Sequence, residues 1–139
     1  MSSRRLTAIV LLTVLLSPLV GPRHALAATP GDMVINEIHA DPASGLPGDA
    51  NGDGVRDFSD DEFVEIYNDS GGDLDLSGWT LSDSSAVRHT FPGGSGVTAG
   101  CSVVVFGGPT PTGTFGGSLV QTASTGALVL NNGGDTVTL

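Results

Sequence analysis

The chain has 139 residues, with 5 Lys and Arg against 15 Asp and Glu, a formal charge of −10 and a single cysteine. That length accommodates one domain around one core. The charge would be repelled by phosphate backbones and anionic lipid, which excludes an electrostatically driven nucleic-acid partner, and the lone Cys101 excludes an intramolecular disulfide.

Arg4 and Arg5 precede an apolar run from Leu6 to Val20, Gly21-Pro22 ends it, and Ala25-Leu26-Ala27 has the A-x-A form of a cleavage site. This order of parts predicts a secretory signal peptide over residues 1–27. The run is shorter than the roughly 20 apolar residues of a spanning helix, so the mature chain, 28–139, is expected to lack a membrane span and to be secreted or held at the cell surface. All 15 acidic residues and only Arg56 and Arg88 remain in it, a formal charge of −13 without one lysine.

Beyond residue 27 the pattern is short apolar runs between Gly, Pro, Asn and Asp. Strands are predicted at Met33 to Ile38, at Phe63 to Tyr67, across Leu74-Asp75-Leu76, at Trp79 to Leu81 and at Val87 to Phe91. Asn68 to Gly72 forms a turn. Cys101 to Phe106 is apolar at nearly every position, as a strand buried on both faces would be, and Cys101 at its head reads as a structural residue, with no positive neighbour to activate a thiol. Leu119 to Thr122 is a weaker strand. Leu128 to Leu130 and Thr136 to Leu139 flank Asn131-Asn132-Gly133-Gly134-Asp135, the pattern of a terminal hairpin. No segment sustains a helical period. Short strands at this spacing predict one all-β sandwich domain over 28–139. Its last predicted strand stops at Leu139 with an open edge, as a fragment lacking its final strand or strands would.

Between the first two strands lies an acidic insertion, about residues 41–61. Asp49, Asn51, Asp53, Asp57 and Asp60 occupy positions 1, 3, 5, 9 and 12 of a twelve-residue loop, the carbonyl of Val55 supplies position 7, and Gly54 stands at position 6. Calcium takes six to eight hard oxygen ligands from that spacing, with glycine at the turn. Magnesium seldom uses an all-protein cage, so calcium is the expected ion. Asp60 stands where an EF-hand has Glu, Arg56 replaces an apolar residue at position 8, and no helix flanks the loop; in these respects it is closer to dockerin and thrombospondin type 3 loops. Asp61 and Glu62 are candidates to supplement Asp60.

Val34-Ile35-Asn36-Glu37-Ile38, Glu62 to Asn68, and above all Leu74-Asp75-Leu76-Ser77-Gly78-Trp79-Thr80-Leu81-Ser82-Asp83 resemble the first strands of the lamin-tail domain. His89-Thr90-Phe91-Pro92, the strand from Cys101 and Leu130 to Asp135 extend the resemblance over about residues 31–139. It implies an immunoglobulin-like β-sandwich without catalytic residues, used in exported bacterial proteins often beside hydrolase or nuclease domains. Trp79 then reads as core rather than a sugar-stacking platform, and Glu37, Glu65 and Asp41 as solvent-facing carboxylates rather than an acid pair. The expected function is a non-enzymatic, calcium-stabilised module that binds a protein or carbohydrate ligand in adhesion or surface scaffolding. The alternative is an N-terminal accessory domain of a larger extracellular hydrolase or nuclease.

Overall fold

A computed structural model describes residues 25–109 and 111–139. The charged and apolar parts of the predicted signal peptide lie outside these residues. Among the described residues nine strands follow in chain order: β1 (Leu26–Ala27), β2 (Met33–His39), β3 (Phe63–Asn68), β4 (Leu74–Asp75), β5 (Thr80–Ser82), β6 (Val87–Thr90), β7 (Gly96–Val97), β8 (Ser102–Phe106) and β9 (Leu119–Thr122). They form a four-stranded sheet in the order β2-β3-β8-β9, a three-stranded sheet β1-β4-β7 and the hairpin β5-β6.

β3 is the centre of the assembly because it alternates. Val64 and Ile66 are fully buried, while Phe63, Glu65 and Tyr67 face the opposite side and are half-exposed. Its neighbour β8 pairs with it antiparallel, Val64 opposite Val105 and Ile66 opposite Val103, so the inward residues of the two strands make one apolar surface. Leu74 and Val97 from the three-stranded sheet and Leu81 from the hairpin close over that surface together with Leu76 and Phe91. Each such aliphatic or aromatic side chain contributes about 1.5–3 kcal/mol by leaving water. Trp79 packs half-buried against the cluster, the position expected of it.

Two buried polar groups tie the sheets together. The Asn68 amide, fully buried at the end of β3, donates to the carbonyls of Gly72 and Val97, both at 2.9 Å, and its oxygen accepts from the Ser70 N–H and hydroxyl. One side chain thus closes the predicted turn and bonds across to β7. His89, 3 % exposed, accepts the Ser124 N–H at Nδ1, which leaves Nε2 to donate to Gln121 Oε1 at 2.7 Å. Gln121 passes the chain of bonds to Ser95 Oγ. Burial holds the His89 imidazole below its ordinary pKa, and neutrality is what the Nδ1 acceptor role requires.

Two expectations are corrected. Leu128 to Leu130 and Thr136 to Leu139 form no hairpin: Thr138 instead bridges antiparallel to Ser82. Leu128 and Leu130 insert into the core, and Val129 between them is turned outward by a backbone at φ 56°. The Leu130 N–H donates to the Glu62 carboxylate at 3.1 Å, a side-chain substitute for a ladder bond. Cys101 is exposed and precedes the strand, which begins at Ser102; four of the five strand residues are buried as the apolar run predicts. Two short strands have no counterpart among the predicted ones: Leu26–Ala27 pairs parallel with Leu74–Asp75, and Gly96–Val97 pairs with the other side of β4.

Candidate functional site

The acidic insertion leaves β2 at His39 and returns at Phe63, and it docks on the far end of β8. The Gly107 and Gly108 N–H groups donate to the carbonyls of Glu62 and Asp60 at 2.8 and 3.2 Å. Glycine is required there by close approach: a Cβ on Gly107 would sit 2.0 Å from the Ser59 carbonyl oxygen, and one on Gly108 2.1 Å from Asp60 Cγ. Farther along, the Thr112 N–H donates to the Asn51 carbonyl at 2.9 Å, and its hydroxyl to that of Gly52. At the entrance, the Arg56 guanidinium donates to the carbonyls of Pro42 and Ala43, which pins the chain that enters the loop.

Within the loop, the side chains of four of the predicted ligands, Asp49, Asn51, Asp53 and Asp57, engage backbone N–H groups with one oxygen. Asp49 Oδ2 accepts from Gly54 at 2.9 Å, Asn51 Oδ1 from Asp53 at 2.9 Å and Asp53 Oδ1 from Val55 at 2.8 Å. Asp57 Oδ1 accepts from Ser59 and Asp60 at 2.8 and 3.1 Å, and these bonds hold the Asp57 carboxyl below the usual range. Asp60 is shifted the other way. Partial burial, then the negative charges of Asp57, Asp53 and Asp61, push its carboxyl up, so those four acids lie within electrostatic reach of one another. The second Asp49 oxygen, Oδ1, is buried without a hydrogen-bond partner, as is the Asn51 amide nitrogen. Among the described residues, no group of three or more His, Cys, Asp or Glu side chains is arranged to hold a metal ion. Val55, the carbonyl candidate, lies on the exposed outer part of the loop.

Asp61, weighed in sequence only as a spare ligand, organises the loop instead. It is fully buried; Oδ1 accepts from the Asn51 N–H at 3.0 Å and Oδ2 from the Asp57 N–H at 2.7 Å. One carboxylate therefore joins the two arms of the loop. Glu62, also buried, turns the opposite way. Burial raises its carboxyl while the N–H groups of Leu130 and Val129 lower it, and it clamps the chain near residue 130. A run of acids gives no sign of which member is buried; only the start of β3 at Phe63, which fixes the direction of the two preceding side chains, points to them.

Of the other acids considered, Asp41 accepts a bond from Asn132 Nδ2 at 2.9 Å. Glu37 and Glu65 stand directly opposite each other across β2 and β3. No helix among the described residues is long and apolar enough to cross a membrane.

Residues 27–139 match the family model described as the Lamin Tail Domain. Searches of curated proteins and of solved structures found no significant match.

Proposed function

The chain belongs to the lamin tail domain family, an immunoglobulin-like and generally non-catalytic fold family, and we propose that it works as a non-enzymatic, exported binding module whose acidic loop is stabilised by calcium. The observation that carries the calcium reading is Asp49 Oδ1, a carboxylate oxygen removed from water with no donor to meet it. A carboxyl oxygen buried without a donor costs about 1–3 kcal/mol, and a hard cation is the partner that offsets it. Binding would draw the free oxygens of Asp53, Asp57 and Asp60, with the Asn51 side chain and the Val55 carbonyl, which are not already gathered around one point, into the hard-donor set that calcium prefers. The ion also relieves the repulsion that raises Asp60.

In this reading the ion fixes the loop against Gly107 and Gly108, and the rigid loop-and-sheet surface presents a protein or carbohydrate ligand site at the cell surface or outside the cell. The −13 charge of residues 28–139 directs the module away from nucleic acid. Isothermal titration of the purified protein with calcium chloride tests it: a saturable heat lost in Asp49→Asn and Asp53→Ala variants is expected. The absence of calcium heat from folded protein at millimolar ion would overturn it.

A further inference from the structure

The outer face of the four-stranded sheet carries a cleft of about 310 Å³ between the acidic loop and the Phe115 loop. Its apolar floor is Phe63, Val104 and Phe106, its far wall is Phe115, and Glu37 and Glu65 bound it on the remaining side. The rings form a connected set: Phe63 and Phe106 lie 5.5 Å apart at 55°, Phe106 and Phe115 4.9 Å apart at 54°. We propose that this cleft receives a lysine or arginine side chain of a partner protein, its apolar stem against the phenylalanines and its charged head between Glu37 and Glu65.

Three separate features of the chain converge on that ligand. The first is charge. Glu37 and Glu65 are direct partners in an antiparallel ladder, an arrangement in which like charges destabilise the sheet. Among the described residues the one ion pair is Arg88 with Asp83, and Arg56 is occupied by the carbonyls of Pro42 and Ala43, so neither arginine offsets the pair. The second is positioning. A bulge in β2 between Ile35 and Glu37 brings Asn36 Nδ2 to 2.6 Å from Glu65 Oε1, which holds that carboxylate in place while Glu37 stays exposed. Bulges re-aim side chains in this way beside functional sites.

The third is strain. Phe115 is a bulky residue at φ 43°, a conformation that persists only where its surroundings enforce it. Its ring reaches back over Phe106 and fills the space beside Gly113, where a Cβ would lie 2.7 Å from it. The strained loop thus places an aromatic wall over a sheet face that already carries two uncompensated carboxylates. Aromatic faces and carboxylates share one ligand, an organic cation with an apolar stem, and the protein-borne forms of it are lysine and arginine. Ala50 of the acidic loop also lines the cleft, but none of the proposed calcium ligands does, so the proposal stands if that loop binds no ion.

The test titrates the full protein with four capped pentapeptides, Gly-Gly-X-Gly-Gly, in which X is lysine, arginine, norleucine or glutamate. Phe63 and Phe115 ring signals are followed by NMR, once in EDTA and once in calcium. Lysine and arginine peptides should shift both rings saturably, with norleucine, which keeps the stem and lacks the charge, about tenfold weaker and glutamate inactive. E37Q with E65Q should reduce the lysine affinity about tenfold while leaving norleucine unchanged; F115A should weaken both. Equal binding of norleucine and lysine would overturn the proposal in favour of a merely apolar cleft, and unshifted rings with every peptide in both buffers would overturn it outright.

Discussion

Replacing Asp61 by alanine should open the acidic loop while leaving the sandwich folded. Its carboxylate is fully buried and accepts two backbone N–H bonds, from Asn51 at 3.0 Å and Asp57 at 2.7 Å. A hydrogen bond to a charged acceptor contributes about 1.5–3 kcal/mol, and each orphaned donor costs about as much as the bond it lost. Against that stands a gain, because Asp61 is one of the charges that push Asp60 up. The net loss is placed at about 3 kcal/mol, the lower end of the sum. The assay is native-state hydrogen exchange at the Asn51 and Asp57 amides, which should speed up roughly 150-fold for that loss. The opening is local, so the melting temperature should fall by less than the ~12 °C that a global loss of that size would bring. Asp61→Asn keeps one acceptor oxygen and should show about half the free-energy change. Unaltered protection at both amides in Asp61→Ala would refute the assignment of Asp61 as the organiser of the loop.

Gly107→Ala forces a Cβ to 2.0 Å from the Ser59 carbonyl, a backbone clash that should cost about 2 kcal/mol in a urea titration; an unmoved midpoint would show that the loop does not dock there. Gly108→Ala meets Asp60 down to its Cβ at 2.3 Å, which side-chain rotation does not move, so its stability cost should match that of Gly107→Ala while calcium affinity also drops, as titration calorimetry would register. Calcium at a hundredfold excess over Kd should raise unfolding free energy by ~2.7 kcal/mol, and equal melting temperatures in EDTA and saturating calcium would contradict that. His89 has a pKa lowered from the ordinary 6.5 by burial, so its contribution is complete above that value and is lost as the pH falls from there through the depressed folded value. Denaturation midpoints should therefore decline in that window and lose the slope in His89→Gln; parallel profiles of the two proteins would sink the reasoning.

What the sequence made legible follows from how local each cause is. Phe63–Asn68 and Ser102–Phe106 were readable because β-branched and aromatic residues at strand length carry the information in their own side chains. The spacing from Asp49 to Asp60 was equally plain, since oxygen positions in a loop are a matter of counting. The terminal hairpin misled because Leu128 and Leu130 alternate as strand residues do, yet a buried carboxylate 68 positions away, Glu62, takes the Leu130 N–H. That competition is tertiary and leaves no trace in the segment itself. Gly96–Val97 lacks any strand signal and becomes one only because β4 offers it an edge. The cleft was the least legible: Glu37 and Glu65 read as ordinary outward carboxylates until the register set them face to face, and Phe115 sits in a glycine-rich loop whose path depends on a left-handed residue.

Amide NMR of the protein titrated with calcium is the sharpest test of the proposed ion site in the Asp49-to-Asp60 loop. Saturable shifts are expected to concentrate at residues 49–61, with Gly54, whose N–H donates to Asp49, among the largest, and at Gly107 and Gly108 where the loop docks. Small, non-saturating shifts spread over acidic positions across the whole surface, with Gly54 no different from Asp69 or Asp73, would contradict it.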